Sequence, residues 1–170
     1  MVEVRPANVA DIPLILNFIL ALAEYEKLAH EVVATEQSLR ENLFADNSPA
    51  RCLLLFSNSQ PAGFALYFYS FSTFLGRKGI YLEDLFVMPQ FRGQGFGKRL
   101  LQELAALTLA EKGGRLEWSV LDWNQPAIDF YQSLGAVAMN EWTVYRVTGP
   151  ALQKLGQLET TTESMGSKDN

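Results

Sequence analysis

Apolar residues recur at two different spacings in the first third of the chain, and each spacing predicts a different element. Residues 2–5, Val-Glu-Val-Arg, alternate apolar and charged side chains, which predicts a short strand. From Ile12 to Ala23, apolar side chains return every three or four residues, which predicts an amphipathic helix with Asn8 as its cap. A second, shorter helix is predicted after Thr35.

Three strands are predicted from residue 51 to residue 88, where apolar and aromatic residues run without helical spacing. Residues 51–57 and 62–71 flank the turn sequence 58–61, an arrangement typical of a β-hairpin. Residues 80–88 form the next apolar run, which ends at Pro89.

The second half of the chain alternates helices with strands. Helical spacing covers residues 95–112 and 124–134, and shorter apolar runs at 115–121, 136–139 and 142–147 predict strands. A hairpin combined with β-α-β crossovers predicts an α/β fold, in which one mixed, twisted sheet carries helices on both faces.

Length and composition fit one domain. The chain has 170 residues, of which 48% are hydrophobic, so it can bury one sizeable core. We therefore expect a single domain over residues 1–158. Residues 159–170 are rich in Thr, Ser and Gly and have no apolar periodicity, which predicts a disordered tail.

Charge and composition exclude several classes of function. A net charge of −5 argues against binding to nucleic acid, which needs a clustered basic surface. No run reaches the roughly 18 apolar residues of a membrane-spanning helix, and the start has no secretory layout, so we expect a cytoplasmic protein that does not bind membranes. The single Cys52 and the single His30 cannot supply the usual zinc ligands, so no metal site is expected. Cys52 lies in an apolar strand and is predicted to be buried.

The segment IYLEDLFVMPQFRGQGFGKR, residues 80–99, has the layout of an anion site: strand, Gly-rich loop, helix. Glycines let a phosphate approach the backbone, and the start of a helix presents free N–H groups and a positive dipole end. Arg92, Lys98 and Arg99 add positive charge.

Two common phosphate motifs do not fit this loop. A Walker loop needs Ser or Thr after its Gly-Lys and a glycine five residues before that Gly, but Arg99 and Arg92 occupy those places. A dinucleotide fingerprint that starts at Gly93 or Gly95 would have Lys98 or Leu100 as its last glycine.

The loop instead resembles the R/Q-x-x-G-x-G/A motif of the GNAT superfamily of N-acetyltransferases. Within that superfamily the chain looks like the diamine (spermidine/spermine-type) acetyltransferases and their thialysine-acetylating relatives. The likeness extends over about residues 3 to 147 and is carried, in order and at similar separations, by residues 22–28, 81–84, 87–89, 92–97, 121–125, 130–131 and 135–136.

The resemblance implies a sheet of about six to seven mostly antiparallel strands, and acetyl-CoA as the acetyl donor. It assigns the pyrophosphate of acetyl-CoA to the motif loop and the pantetheine arm to the end of the central strand and to the next helix. The implied contacts are Leu85, Phe86, Val87, Arg92, Gly93, Gln94, Gly95, Phe96, Gly97, Lys98, Asn124, Pro126 and Ala127.

The resemblance implies that Glu83 and Tyr131 act in the chemical step. Glu83 and Asp84 interrupt an apolar strand, where buried carboxylates need partners or a function. Because an amine arrives as an ammonium ion, it must lose a proton before it attacks, and the resemblance implies that Glu83 accepts that proton through a water. It also implies that Tyr131 protonates the departing thiolate. The alternatives, a structural carboxylate and a core tyrosine, stay open.

The implied substrate is a small cationic amine that reacts directly in a ternary complex. Tyr25 and Glu26 match the amine-binding corner of the family, Asp84 adds negative potential, and Glu141 resembles a second amine contact, although the segment before Trp142 is shorter than the family's acidic version. Polyamine, thialysine and lysine-like amino acid all remain candidates. Protein acetylation and a non-catalytic acyl-CoA-binding domain are the competing hypotheses, and the resemblance also implies a homodimer.

Overall fold

The computed structural model describes residues 1–157, which divide into two compact units. The first unit runs from Met1 to Gln125 and the second begins at Pro126. The predicted tail at residues 159–170 lies outside the described residues, and the single domain over residues 1–158 stays a prediction.

The first unit is built on one five-stranded sheet with the order β1-β2-β3-β4-β5. All neighbours are antiparallel except β4 and β5, which run parallel and are joined through helix α3. The mixed, mostly antiparallel sheet is therefore confirmed. The strands are β1 Val2–Pro6, β2 Ala50–Ser57, β3 Gln60–Ser72, β4 Arg77–Val87 and β5 Leu116–Trp118, and the crossover helix is α3 Phe96–Ala110.

The predicted hairpin joins β2 to β3 through a tight turn. Asn58 and Ser59 form the turn, with φ values of 49° and 64°. Two successive residues with positive φ suit the right-handed twist of paired strands, and Asn tolerates that conformation better than most residues.

Both predicted N-terminal helices are present, and polar side chains fix where they start. Asn8 caps a single 3-10 turn at Val9–Asp11, which leads directly into α1 at Ile12–Tyr25. Thr35 caps α2 at Glu36–Leu43, where its hydroxyl oxygen accepts a hydrogen bond from the N–H of Ser38 at 3.1 Å.

Helices cover both faces of the sheet, as predicted. Ile15, Phe18 and Leu22 of α1, with Leu43 of α2, pack against Cys52, Leu54, Phe64 and Phe86. Phe18 stacks on Phe64 with ring centres 5.3 Å apart. The side chains of the alternate strand residues point to the opposite face of the sheet. Helix α3 contacts β2, β3 and β4 and buries leucines that are absent from the first cluster, namely Leu100, Leu101 and Leu104.

The C-terminal strands were predicted wrongly. Strand β5 is three residues long, and residues 136–147 form no strand, so the described part of the chain has five strands instead of six to seven. Val137 and Val144 are both 81% exposed. Alternating apolar residues become a strand only where a neighbour supplies hydrogen bonds, and local sequence does not specify that neighbour.

The second unit is helical where it has regular structure. Helix α4 spans Gln125–Ser133, close to the predicted 124–134, and its first residue still belongs to the first unit. A short helix, α5 at Gly149–Leu155, was not predicted. Over residues 1–157, the helices are all too short or too polar to cross a membrane.

Candidate active site

Strands β4 and β5 separate partway along β4. Three residue pairs join them, and the last is Leu82 with Trp118. Beside this point the hydroxyl oxygens of Tyr81 and Ser119 lie 2.7 Å apart. Within the first unit, β4 continues to Val87 paired with β3 alone. Alternate N–H and C=O groups of an antiparallel strand point away from its partner, so this edge can bind an extended ligand.

A β-bulge lies where the two strands separate. Leu66 pairs with Asp84 while the next residue, Tyr67, pairs with Leu82, so Glu83 is the extra residue of β4. A bulge changes the direction of nearby side chains and is common beside active sites. At the bulge Glu83 is exposed, and Asp84 is half-buried.

Two carboxylates act on a third, Asp84, at this bulge. Burial, together with the negative charges of Glu83 and Glu26, raises the pKa of Asp84 to about 6. Burial also raises the pKa of Glu26, which caps the C-terminus of α1. Crowded carboxylates of this kind favour a ligand that brings positive charge.

The Gly-rich loop has the geometry of an anion site. Gly93 and Gly95 have φ values of +74° and +79°, which disfavour residues with a Cβ atom. No side chain caps α3, and its first helical bond runs from the N–H of Arg99 to the carbonyl of Gly95 at 2.9 Å. The preceding N–H groups of the first turn face the loop, so the loop can bind an anion.

The loop is anchored by a buried aromatic side chain, and its polar side chains are exposed. Phe96 is 7% exposed, and its ring centre is 6.3 Å from that of Phe91. The side chains of Gln94 and Lys98 are exposed, and Gly97 is half-buried. Apolar anchoring on one side and exposed polar groups on the other leave the loop backbone accessible to an anion.

The charge of Arg92 suggested a contact with an anion, but its side chain packs against two aromatic rings. Its guanidinium carbon lies 4.6 Å from the ring centre of Tyr25 and 5.4 Å from that of Phe86. Its Nε donates a hydrogen bond to the carbonyl oxygen of Val87 at 3.0 Å. The side chain therefore connects the loop to the end of β4 and to α1.

Tyr25, the last residue of α1, connects to the segment before α4. Its hydroxyl donates to Oδ1 of the buried Asn124 at 3.2 Å, and its ring centre lies 6.3 Å from that of Trp123. Lys27 is held at φ +63°, and its Nζ lies 5.0 Å from the Trp123 ring centre. Tyr25 thus contacts residues that the sequence assigned to the cofactor.

The remaining predicted site residues lie in the second unit. Pro126, Ala127 and Tyr131 belong to α4, and Tyr131 is half-buried with its ring centre 5.4 Å from that of Phe130. Glu141 is exposed in the turn that the N–H of Trp142 closes on Met139.

The structure groups part of the predicted site and adds residues to it. It brings Glu26, Glu83 and Asp84 together, and it joins Tyr25, Arg92, Phe86, Val87 and Asn124. Leu85 is half-buried next to them on β4. Sequence reasoning gave no role to Lys27, Tyr81, Ser119 and Trp123. Trp123 lies in one of the resembling segments, whereas no local signal marked Ser119.

Cys52 is buried, as predicted. The side chain is 6% exposed, and burial raises the pKa of its thiol to about 12, helped by the charges of Asp11 and Asp84. A thiol with this pKa stays protonated at neutral pH, so Cys52 is unsuited to a covalent mechanism. Residues 1–157 contain no cluster of three or more potential metal ligands.

Comparison with known proteins places the chain among acetyltransferases. The model of the acetyltransferase (GNAT) family matches residues 19–136. A thialysine N-epsilon-acetyltransferase from Bos taurus is 38% identical over 165 residues, covering 91% of this chain and 96% of that protein. An L-ornithine N5-acetyltransferase from Arabidopsis thaliana is 32% identical over 202 residues, covering 92% and 88%. Among solved structures, an integron cassette protein from the mobile metagenome of V. cholerae has a TM-score of 0.78 at 28% identity, covering 92% and 98%.

Proposed function

We propose that this chain, which belongs to the GNAT family of acetyltransferases, transfers the acetyl group of acetyl-CoA to the side-chain amine of a small lysine-like amino acid. The observation that carries this proposal is the group of three carboxylates at the bulge, where burial and the negative charges of Glu83 and Glu26 raise the pKa of Asp84 to about 6. An ammonium ion relieves that repulsion, so the site favours a cationic substrate.

The choice of an amino acid rests on the relatives. The similar proteins named above act on thialysine and ornithine, both of which are amino acids with an amine at the end of the side chain. These relatives match along nearly the whole chain, so the proposal extends their kind of substrate to this protein. A polyamine has the same terminal ammonium group and is the alternative that the experiment below must separate.

The proposed reaction is a direct transfer in which atoms and protons balance. Acetyl-CoA supplies the acetyl group as a thioester. Glu83 accepts a proton from the substrate ammonium through a water, and Asp84 keeps the negative potential that attracts it. The amine nitrogen then bonds to the acetyl carbon as the carbon–sulfur bond breaks. Tyr131 gives its proton to the departing thiolate and takes up the second proton, which the nitrogen loses as the amide forms, and Glu83 releases the first proton to solvent.

Backbone groups stabilise the charge that develops on the acetyl oxygen. We assign this task to the edge of β4 at Leu85, Phe86 and Val87, where β5 no longer pairs with the strand. Fixed N–H donors act on charge that appears only in the transition state, and they need no reorganisation during the reaction.

The family resemblance also supports a cytoplasmic homodimer. Size-exclusion chromatography with light scattering tests the oligomeric state, because a dimer has twice the mass of the 19.0 kDa chain. A monomeric mass at micromolar concentration would contradict the dimer and leave the acetyl transfer unaffected.

A competition experiment tests the proposed substrate. The enzyme receives acetyl-CoA and an equimolar mixture of ornithine, lysine, thialysine, spermidine and a basic peptide, and mass spectrometry follows each acetylated product. Competing substrates react in proportion to their kcat/KM values, so one tube ranks all five. We expect the amino acids to be acetylated first, at the side-chain nitrogen. Faster acetylation of spermidine or of the peptide would contradict the proposed substrate.

A further inference from the structure

Tyr25 contacts two residues of the proposed acetyl-CoA site, one through its ring and one through its hydroxyl. Its ring lies against the Arg92 guanidinium at 4.6 Å, and its hydroxyl donates to Asn124 at 3.2 Å. Arg92 opens the Gly-rich loop, and Asn124 lies just before α4. One side chain at the end of α1 therefore joins two segments that are 32 residues apart in the chain.

We propose that Tyr25 is a positioning residue for acetyl-CoA, acting through Arg92 and Asn124, and that it does not bind the amine directly. This inference rests on the proposed function only in taking acetyl-CoA as the ligand of the loop. It changes the role that the sequence assigned to Tyr25, which was an amine contact.

The contacts of Arg92 explain why the ring matters. The guanidinium lies over both Tyr25 and Phe86, and its Nε is bonded to the carbonyl of Val87. A planar guanidinium stacks on rings while it donates in its own plane, and a lysine ammonium does not reproduce this combination. The ring thus holds Arg92 where it fixes the end of β4 relative to the Gly-rich loop.

Fixing these segments before the ligand arrives lowers the entropy cost of binding. The loop and the β4 edge must take one geometry for the pyrophosphate and the pantetheine arm to bind together, and each flexible side chain that is ordered on binding reduces affinity. Loss of Tyr25 should therefore weaken acetyl-CoA binding although the side chain itself need not touch the ligand.

Isothermal titration calorimetry with acetyl-CoA alone tests the proposal without any amine. For Tyr25→Leu, which removes the ring and the hydroxyl, we expect the Kd for acetyl-CoA to rise roughly tenfold. For Tyr25→Phe, which keeps the ring over Arg92 but loses the bond to Asn124, we expect a rise of about threefold. An unchanged Kd in both variants would overturn the proposal, and Tyr25→Phe decides alone if Tyr25→Leu does not fold.

A double-mutant cycle shows whether Tyr25 acts through Arg92. Arg92→Lys alone should raise the Kd about fivefold, and combining it with Tyr25→Leu should raise it little beyond the effect of Tyr25→Leu, because both variants break the same contact. Effects that simply multiply would overturn the proposed path.

Tyr69→Leu is the matched control for Tyr25→Leu: this tyrosine is 42% exposed against 37% for Tyr25, and its ring lies 5.5 Å from the ammonium of Lys78. We expect no change in Kd for this control.

Steady-state kinetics separate positioning from amine binding. We expect Tyr25→Phe to leave the KM for the amine unchanged at saturating acetyl-CoA, while the KM for acetyl-CoA rises at saturating amine. A rise in the amine KM with an unchanged acetyl-CoA Kd would overturn the proposal and return Tyr25 to the amine site. If the wild-type enzyme acetylates none of the amines, the proposed substrate is wrong, but the calorimetric comparison still tests the role of Tyr25.

Discussion

The charge of Asp84 at the β4 bulge destabilises the folded protein and is expected to favour binding of a cationic substrate. Asp84 is half-buried beside Glu83 and Glu26, and this environment raises its pKa from 3.8 to about 6. A raised carboxyl pKa means that the ionised form is less stable in the folded protein than in the unfolded chain. We infer that the site retains this unfavourable charge because an ammonium substrate needs it, as in other sites that sacrifice stability for function.

The stability of Asp84→Asn should therefore depend on pH. At pH 8 the variant should exceed the wild type in free energy of unfolding by about 1–3 kcal/mol, because the buried charge is gone. The folded protein binds more protons than the unfolded chain between pH 4 and pH 6, so the gain should disappear as pH falls through that range. Urea denaturation at pH 8 and pH 4 measures the difference. The exposed Asp46→Asn is the control. An Asp84→Asn variant less stable than the wild type at pH 8 would contradict a destabilising effect of the Asp84 charge.

Glu83→Gln tests the proposed base. At pH 7 we expect turnover to fall by roughly 10²-fold, since the substrate stays largely protonated and the acceptor is lost. Raising the pH toward 10 should recover part of the rate, because free amine is then present without a base. The kcat measured from pH 7 to pH 10 shows this recovery, with the exposed Glu3→Gln as control. An equally deep loss at every pH would exclude the assigned role.

Tyr131→Phe tests the proposed acid. Because the proposed role of the hydroxyl is in the chemical step, we expect kcat to fall by roughly 10²-fold while the acetyl-CoA Kd stays within about twofold of the wild type. Rapid-quench measurement of the first turnover, combined with calorimetry, separates the two effects. A comparable loss of acetyl-CoA affinity would make Tyr131 a packing residue.

At the scale of elements, the site depends on how β4 ends and α3 begins. The Gly-rich loop, the helix after it and the hairpin before it were all predicted, because glycines, caps and apolar spacing are local signals. The bulge at Glu83 was not predicted, since it depends on the register between β3 and β4. The contact between Arg92 and Tyr25 was also missed, because it joins residues 67 positions apart in the chain.

Gly95→Ala tests the loop element. Its φ of +79° is unfavourable for a residue with a Cβ atom, and a shift of the loop would move the N–H groups that are expected to bind the pyrophosphate. We expect a loss of about 1–2 kcal/mol in the free energy of unfolding and a rise of at least about tenfold in the acetyl-CoA Kd.

Gly76→Ala is the matched control for this variant. Gly76 has a φ of +60° in the turn between β3 and β4, and a Cβ there, as at Gly95, would meet no atom within 4 Å. We expect a similar loss of stability without a change in acetyl-CoA affinity. Equal effects of both variants on the Kd would show that the loop acts through global stability alone.

At the scale of the whole molecule, the order of elements and the family were predictable, and the C-terminal pairing was not. Motifs in register from residue 22 to residue 136 gave the family, and the family model matches residues 19–136. Residues 136–147 carry a strand-like pattern but form no strand, because pairing depends on partners that local sequence does not specify. The number of strands was therefore overestimated, while the mixed sheet and its helices were placed correctly.

The most direct test of the central claim is the release of free CoA from acetyl-CoA when single small amines are added one at a time to the wild-type protein. We expect rapid release with thialysine, ornithine or lysine, and little release with buffer alone or with a basic peptide. If acetyl-CoA binds but none of the small amines causes release above the buffer rate, the assignment of this chain as a small-amine acetyltransferase is contradicted.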